Sequence, residues 1–260
     1  MTPLLSKSCS WAVAALAFIS SAQGSLASFN IQRKDASVMA AKVPLRLMPL
    51  GASITYGVQS STGNGYREYL YNLLAQEGYS VDMVGSRKHG SMKENEVEGW
   101  PGYRIEQVQR KAELAVPSRL PNLFTLNAGT NDAFQNFKVD NAGQRIGELI
   151  EYLWQASPGT TVILSTLIIN LNATVEARAE KINQQIRKVA SEKASGGKRV
   201  VLAEMHGSDG PQRGDMSSDG THPVDKGYEK MAKIWYRSIQ KAAEKALIQS
   251  PQPISKATKL

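Results

Sequence analysis

Short apolar runs alternate with amphipathic stretches along the chain. Leu45 to Leu50 has the continuous apolar character of a buried strand and stops at Gly51. Tyr66 to Gln76 sets Tyr66, Tyr69, Leu70, Leu73 and Leu74 at helical spacing, with Gly78 as its stop. Ser80 to Val84 is a second, short strand. Tyr103 to Val116 is helical in period through Ile105, Val108, Ala112 and Ala115, and Pro117 is expected to break it. Asn122 to Asn127, Thr160 to Leu167 and Arg199 to Glu204 complete five predicted strands. Asn141 to Gln155, Thr174 to Ala194 and Val224 to Leu247 are the remaining predicted helices. Arg87 to Trp100 and Met205 to Pro223 are polar and read as long loops, a length that often carries function. The tail from Ser250 holds two prolines and is expected not to pack.

Strands that alternate with helices imply an α/β protein: a five-stranded parallel sheet with helices on both faces. In such folds functional loops gather at the carboxyl ends of the strands. The segment after Gly51, the Gly129-Thr130-Asn131-Asp132 segment and the Met205 to Pro223 loop all follow strands. Topology therefore predicts that three distant segments share one edge.

Composition changes this picture mainly at the N-terminus. Lys7, the apolar run Trp11 to Ile19 and the small residues from Ser20 to Ala27 have the order of a secretory signal. Cleavage after Gly24 and cleavage after Ala27 both suit it. The apolar run is far shorter than the ~20 residues of a spanning helix, so no stable membrane anchor is expected. The expected organisation is a signal over 1–27, a leader over 28–42, one domain over 43–247 and a disordered tail over 248–260. The chain has 260 residues, 42% hydrophobic and 21% charged, which suits one large globular domain. Its single cysteine, Cys9, lies in the signal, so the expected mature chain has no disulfide, thiolate metal site or cysteine nucleophile. The net charge is +8, but no basic run interleaves with aromatics, so nucleic acid is not an expected partner. Asn172-Ala173-Thr174 is an N-glycosylation sequon, meaningful if the chain is secreted.

The candidate chemistry lies in those three segments. A strand that ends at Gly51 and delivers Ser53 is one way to present a nucleophile; it is also an ordinary strand end. In Ser218-Asp219-Gly220-Thr221-His222-Pro223, an acid three residues before a histidine can hydrogen-bond its ring across a turn and fix its tautomer. Gly102 and Asn131 are candidate donors to an oxyanion, and equally a kink and a turn residue. His89 and His206 have no neighbour in sequence that suggests a role, and no histidine spacing suits a metal. Tyr66, Trp100 and Tyr103 can stack on sugars, but helical spacing favours the core.

The order Ser53, Gly102, Asn131, Asp219, His222 resembles the SGNH (GDSL-type) hydrolase superfamily. Gly51-Ala52-Ser53-Ile54-Thr55 is similar to its first block and Pro101-Gly102-Tyr103-Arg104 to its second. Gly129-Thr130-Asn131-Asp132 is similar to its third and Asp219-Gly220-Thr221-His222-Pro223 to its fifth. The resemblance covers about Val43 to Ala246 and is closest to fungal secreted carbohydrate esterases of the acetylxylan esterase type. It implies a flavodoxin-like three-layer α/β/α sandwich and an extracellular serine esterase, expected to be monomeric. Ser53 would be the nucleophile, His222 the base and Asp219 its orienter. Ser53, Gly102 and Asn131 would form the oxyanion hole. No metal or organic cofactor is implied. The implied substrate is an acetyl ester on plant cell-wall polysaccharide. The alternatives are a lipase-like or small-acyl esterase, and a catalytically weak carbohydrate-binding protein. Ala52 departs from the family, which usually has Asp there.

Overall fold

The computed structural model describes residues 42–254. The expected signal over 1–27, and all of the leader except Lys42, lie outside the described residues. Strand β1 (Leu45–Gly51) is the axis of the sheet. Helices α1 (Ser53–Tyr56) and α2 (Tyr66–Gln76) follow it. Next come β2 (Val81–Met83), β3 (Arg87–Lys88) and β4 (Glu96–Gly99). The chain continues through α3 (Ile105–Arg119), β5 (Leu123–Asn127), α4 (Thr130–Phe134) and α5 (Ala142–Ala156). It closes with β6 (Thr161–Ser165), α6 (Ala173–Ser195), β7 (Val200–Ala203) and α7 (Asp225–Glu244).

Strands β1, β5, β6 and β7 lie side by side in parallel. All residues of β5 and β6 are buried, as their continuous apolar runs require in a sheet covered on both faces. Alternation then divides the core. Leu45, Leu47, Leu123 and Ile163 face Tyr66, Leu70 and Leu74 of α2 and Met231, Trp235 and Ile239 of α7. Met48, Leu50, Phe124, Leu126, Val162 and Leu164 face Val108, Ile146, Leu149, Ile182 and Ile186 of α3, α5 and α6. This is the expected three-layer α/β/α sandwich.

The stretch from Arg87 to Trp100 is not one loop. Strand β2 pairs with the first half of β1, and β4 pairs in parallel with its end, Leu50 with Glu98 and Gly51 with Gly99. The two share one side of β1, so five parallel positions remain, in the order β2/β4, β1, β5, β6, β7. That is the flavodoxin-like order. Strand β3 runs antiparallel to β4 and extends the sheet at that edge. The excursion is held from inside by Arg67. Its buried guanidinium donates to the carbonyls of Tyr56, Gly63, His89 and Asn95.

Two further expectations change. Helix α3 runs past Pro117 to Arg119. Proline there removes the donor to the Glu113 carbonyl, and the Tyr152 hydroxyl supplies one instead, at 3.2 Å. The tail packs at its start: Ile248 is buried. The Gln249 carbonyl accepts from Asn122 and the Gln252 carbonyl from Arg46. Residues 255–260 lie outside the described ones. Among the described residues, no helix is long and apolar enough to cross a membrane.

Candidate active site

The carboxyl ends of β1, β4 and β5 stand level, because Gly51 is in register with both Gly99 and Asn127. Gly51 has to be glycine: a Cβ there would lie 2.2 Å from the Asn127 carbonyl oxygen. The chain can therefore turn tightly from β1 into α1, and Ser53 is the first residue of that helix. Ala52, at the N-cap position, is buried and supplies no side-chain cap. An Asp at this position would have offered an acceptor to the first turn.

His222 reaches Ser53 from the far end of the chain. Its Nε2 lies 2.8 Å from Ser53 Oγ, and its Nδ1 lies 2.7 Å from Asp219 Oδ2. An ionised carboxylate only accepts, so Nδ1 carries the proton of the neutral ring and Nε2 accepts from the serine hydroxyl. The other Asp219 oxygen accepts from the backbone N–H groups of Thr221 and His222, at 2.8 and 2.9 Å. Burial works to raise the Asp219 pKa. The two N–H groups and the His222 ring outweigh it and hold the carboxyl far below the usual range.

The loop that carries this pair is fixed from several sides. Ser217 N–H donates to the His222 carbonyl and Gly220 N–H to the Ser217 carbonyl. Leu171 N–H donates to the Gly220 carbonyl, and the Asn170 amide donates to Thr221 Oγ1 at 3.0 Å. Asn170 was not singled out in the sequence. Its signal was there: it is the first polar residue after the apolar stretch Leu167 to Ile169, in a segment that follows a strand.

Trp100-Pro101-Gly102-Tyr103 forms a turn closed by Tyr103 N–H on the Trp100 carbonyl at 3.1 Å. Gly102 has φ +82, the left-handed value that position i+2 of a type II turn demands, and Pro101 fills i+1. Trp100 N–H donates to the Gly51 carbonyl, which ties the turn to the end of β1. Asn131, in α4, donates one amide hydrogen to the Tyr103 carbonyl at 2.9 Å and keeps a second N–H for another acceptor. Buried Asp132 holds α4 in place, accepting from Ile105 N–H at the start of α3 and from Arg145 of α5.

The structure thus hydrogen-bonds Ser53, His222 and Asp219 in series, and links the Gly102 turn to Gly51 on one side and Asn131 on the other. The remaining histidines stand apart. His89 stacks on Tyr56 at 3.7 Å, and His206 Nε2 lies 2.8 Å from Glu176. Burial, with Arg67 and Arg87 nearby, lowers the His89 pKa. Glu176, Glu180 and His206 bring one donor atom each within 4.8 Å of one another, though Glu176 is already engaged by His206 and Asn170. Asn172 is exposed and caps α6, its Oδ1 accepting from Thr174 and Val175. Tyr66 is buried in the core, as its spacing predicts. Trp100 and Tyr103 are partly exposed and stack at 5.5 Å beside the Gly102 turn, and Tyr103 also packs against the edge of the core. They precede α3, so the helical period does not govern them.

Fold and site together define a class: an α/β sandwich with a Ser–His–Asp hydrogen-bond series on the carboxyl edge of its parallel sheet. The chain belongs to the GDSL-like Lipase/Acylhydrolase family, which it matches over residues 50–230. It is 31% identical over 225 residues to a multidomain esterase of Ruminococcus flavefaciens, a match covering 75% of this chain. The chain spans only 28% of the length of that relative. Among solved structures it is similar to a family 3 carbohydrate esterase of Clostridium thermocellum, at 27% identity and a TM-score of 0.70. That match covers 78% of this chain and 99% of the other. A carbohydrate esterase family 3 structure from Talaromyces cellulolyticus shares the fold, at 22% identity and a TM-score of 0.67, over 77% of this chain and 99% of the other.

Proposed function

We propose that this chain is a secreted acetylesterase that removes acetyl groups from plant cell-wall polysaccharide through a serine acyl-enzyme. The observation that carries the reading is the hydrogen-bond series Ser53–His222–Asp219, at 2.8 and 2.7 Å. Ser53 Oγ attacks the ester carbonyl while His222 Nε2 takes its proton. Asp219 holds the ring in the tautomer that leaves Nε2 free and stabilises the imidazolium that forms. Ser53 N–H, Gly102 N–H and the second Asn131 N–H receive the oxyanion, each worth about 3 kcal/mol in the transition state. His222 then gives that proton to the departing sugar oxygen, which leaves as a hydroxyl, and water, activated by the same ring, releases acetate and restores Ser53. None of these steps requires a metal or organic cofactor.

The carbohydrate part of the reading is supported by the 27%-identical family 3 carbohydrate esterase. Secretion rests on the order Lys7, Trp11–Ile19, Ser20–Ala27, and exposed Asn172 is the proposed glycosylation site. The test is acetate release from acetylated xylan, set against cleavage of a long-chain p-nitrophenyl ester, by the wild type and Ser53→Ala. Acetylated xylan is expected to be preferred and the variant to lose at least a thousandfold in kcat. Full activity in the variant removes Ser53 from the mechanism; preference for the long chain replaces the acetyl substrate with a lipid-like one.

A further inference from the structure

Among the described residues, Arg87, Arg110 and Lys111, the cations on the rim beside the Gly102 turn, form no ion pair with a carboxylate. Lys111 Nζ stands 4.1 Å from the Trp100 ring centroid and 6.0 Å from that of Tyr103. On the same indole, Arg87 Cζ stands 4.6 Å from the centroid, and 4.3 Å from that of Tyr56. Among the described residues, the Arg87 guanidinium donates to two neutral acceptors, the Gly99 carbonyl and the Tyr56 hydroxyl. The carboxylates around the rim have other hydrogen-bond partners, and of those described only Glu106 is paired with cations. Glu98 is buried and accepts from Ser86 and from Trp100 Nε1. Glu106 pairs with Arg104 and Arg145, and Glu113 accepts from Gln109. Tyr103, Gln107, Arg110, Lys111 and Leu114 line a cleft of about 300 Å³ that opens from this rim.

This arrangement is specific in its chemistry. An ammonium held over an indole keeps its charge while part of its hydration is replaced by the ring. A carboxylate that enters gains charge-assisted hydrogen bonds from Lys111 and Arg110. A partly exposed tyrosine beside them gives a flat amphipathic surface for the carbon face of a pyranose. A neutral xylan backbone would use the ring and leave both cations unanswered. Tyr103 directly follows Gly102, so the cleft begins one residue along the chain from a proposed oxyanion donor.

We propose that this cleft is a subsite for a uronate sugar: Lys111 and Arg110 take the carboxylate and Tyr103 the ring, so the preferred substrate is an acetylated polysaccharide bearing carboxylated residues. The proposal rests on the esterase reading for its site, but its test does not depend on turnover. Trigalacturonate and xylotriose are titrated calorimetrically into the wild type, the double variant Arg110→Gln/Lys111→Gln, and a charge control, Lys241→Gln/Lys245→Gln, at the far end of α7. Trigalacturonate is expected to bind the wild type and the control alike, and the Arg110/Lys111 variant at least fivefold more weakly. Xylotriose affinity is expected to change less than twofold in any protein. Failure of the wild type to bind trigalacturonate overturns the subsite, as does an equal loss in the control, which would mark general attraction of a basic protein for an acid. A chain that binds trigalacturonate as described but releases no acetate overturns the acetylesterase reading and leaves the subsite standing.

Discussion

Asp219 shows how one side chain serves both fold and chemistry. One of its oxygens closes the turn by accepting from Thr221 and His222 N–H, and the other orients the ring. Asn in its place keeps an acceptor for the turn but can present an NH2 group to Nδ1, which then favours the tautomer with the proton on Nε2. The proton on Nε2 blocks the base. Asp219→Asn is therefore expected to fold normally and to lose about 10³- to 10⁴-fold in kcat, with KM little changed. Steady-state kinetics on p-nitrophenyl acetate check this, and a loss below tenfold would show that Asp219 does not set the tautomer. The pairing of this acid with His222 is readable at three residues' separation. Their meeting with Ser53, 169 positions from His222, is readable only because each segment follows a strand of a parallel sheet. Ala52 stays without an explanation in the contacts around it.

At the scale of elements, legibility follows burial. Strands β1, β5 and β6 are buried on both faces and appear in the sequence as apolar runs. Strand β4, Glu-Val-Glu-Gly, has one apolar residue, and its Glu98 is buried because Ser86 and Trp100 supply donors. No periodicity can announce a strand whose buried carboxyl is satisfied by donors outside the strand. The same holds for α4, a five-residue helix held by contacts rather than propensity. Asp132 is its anchor: fully buried, it joins α4 to the N-terminus of α3 and to Arg145. Asp132→Ala would leave the Ile105 N–H and part of the Arg145 guanidinium without an acceptor. It is expected to cost about 3 kcal/mol in urea unfolding. It should also lower esterase activity, because Asn131 loses its fixed place against Tyr103. An unfolding midpoint unchanged from the wild type would show that α4 is held by other contacts.

At the scale of the whole molecule, the ionised side chains set a direction for acid stability. Six carboxyls have lowered pKa values in the folded chain: Glu77, Glu106, Glu151, Glu204, Asp215 and Asp219. At Glu77 and Glu151 the leading cause is a hydrogen bond from Lys42 and Lys193 respectively. At the other four, burial opposes the charge and hydrogen bonds with nearby cations or N–H groups outweigh it. The unfolded chain takes up protons at these groups before the folded chain does. Their stabilisation is thus complete above the unfolded carboxyl values of about 4 and is lost as pH falls through the lower folded ones. His89 acts with the same sign at higher pH: its lowered value makes stability decline from about pH 6.5 downward. Asp132 acts against this trend, because burial raises its pKa despite Arg145, so protonation relieves the folded state there. The urea midpoint at constant ionic strength is expected to fall slightly between pH 7 and 5 and steeply below about pH 4.5. A midpoint that rises between pH 5 and 3 would mean that buried carboxyls of the Asp132 kind, not paired ones, dominate the charge balance of the fold.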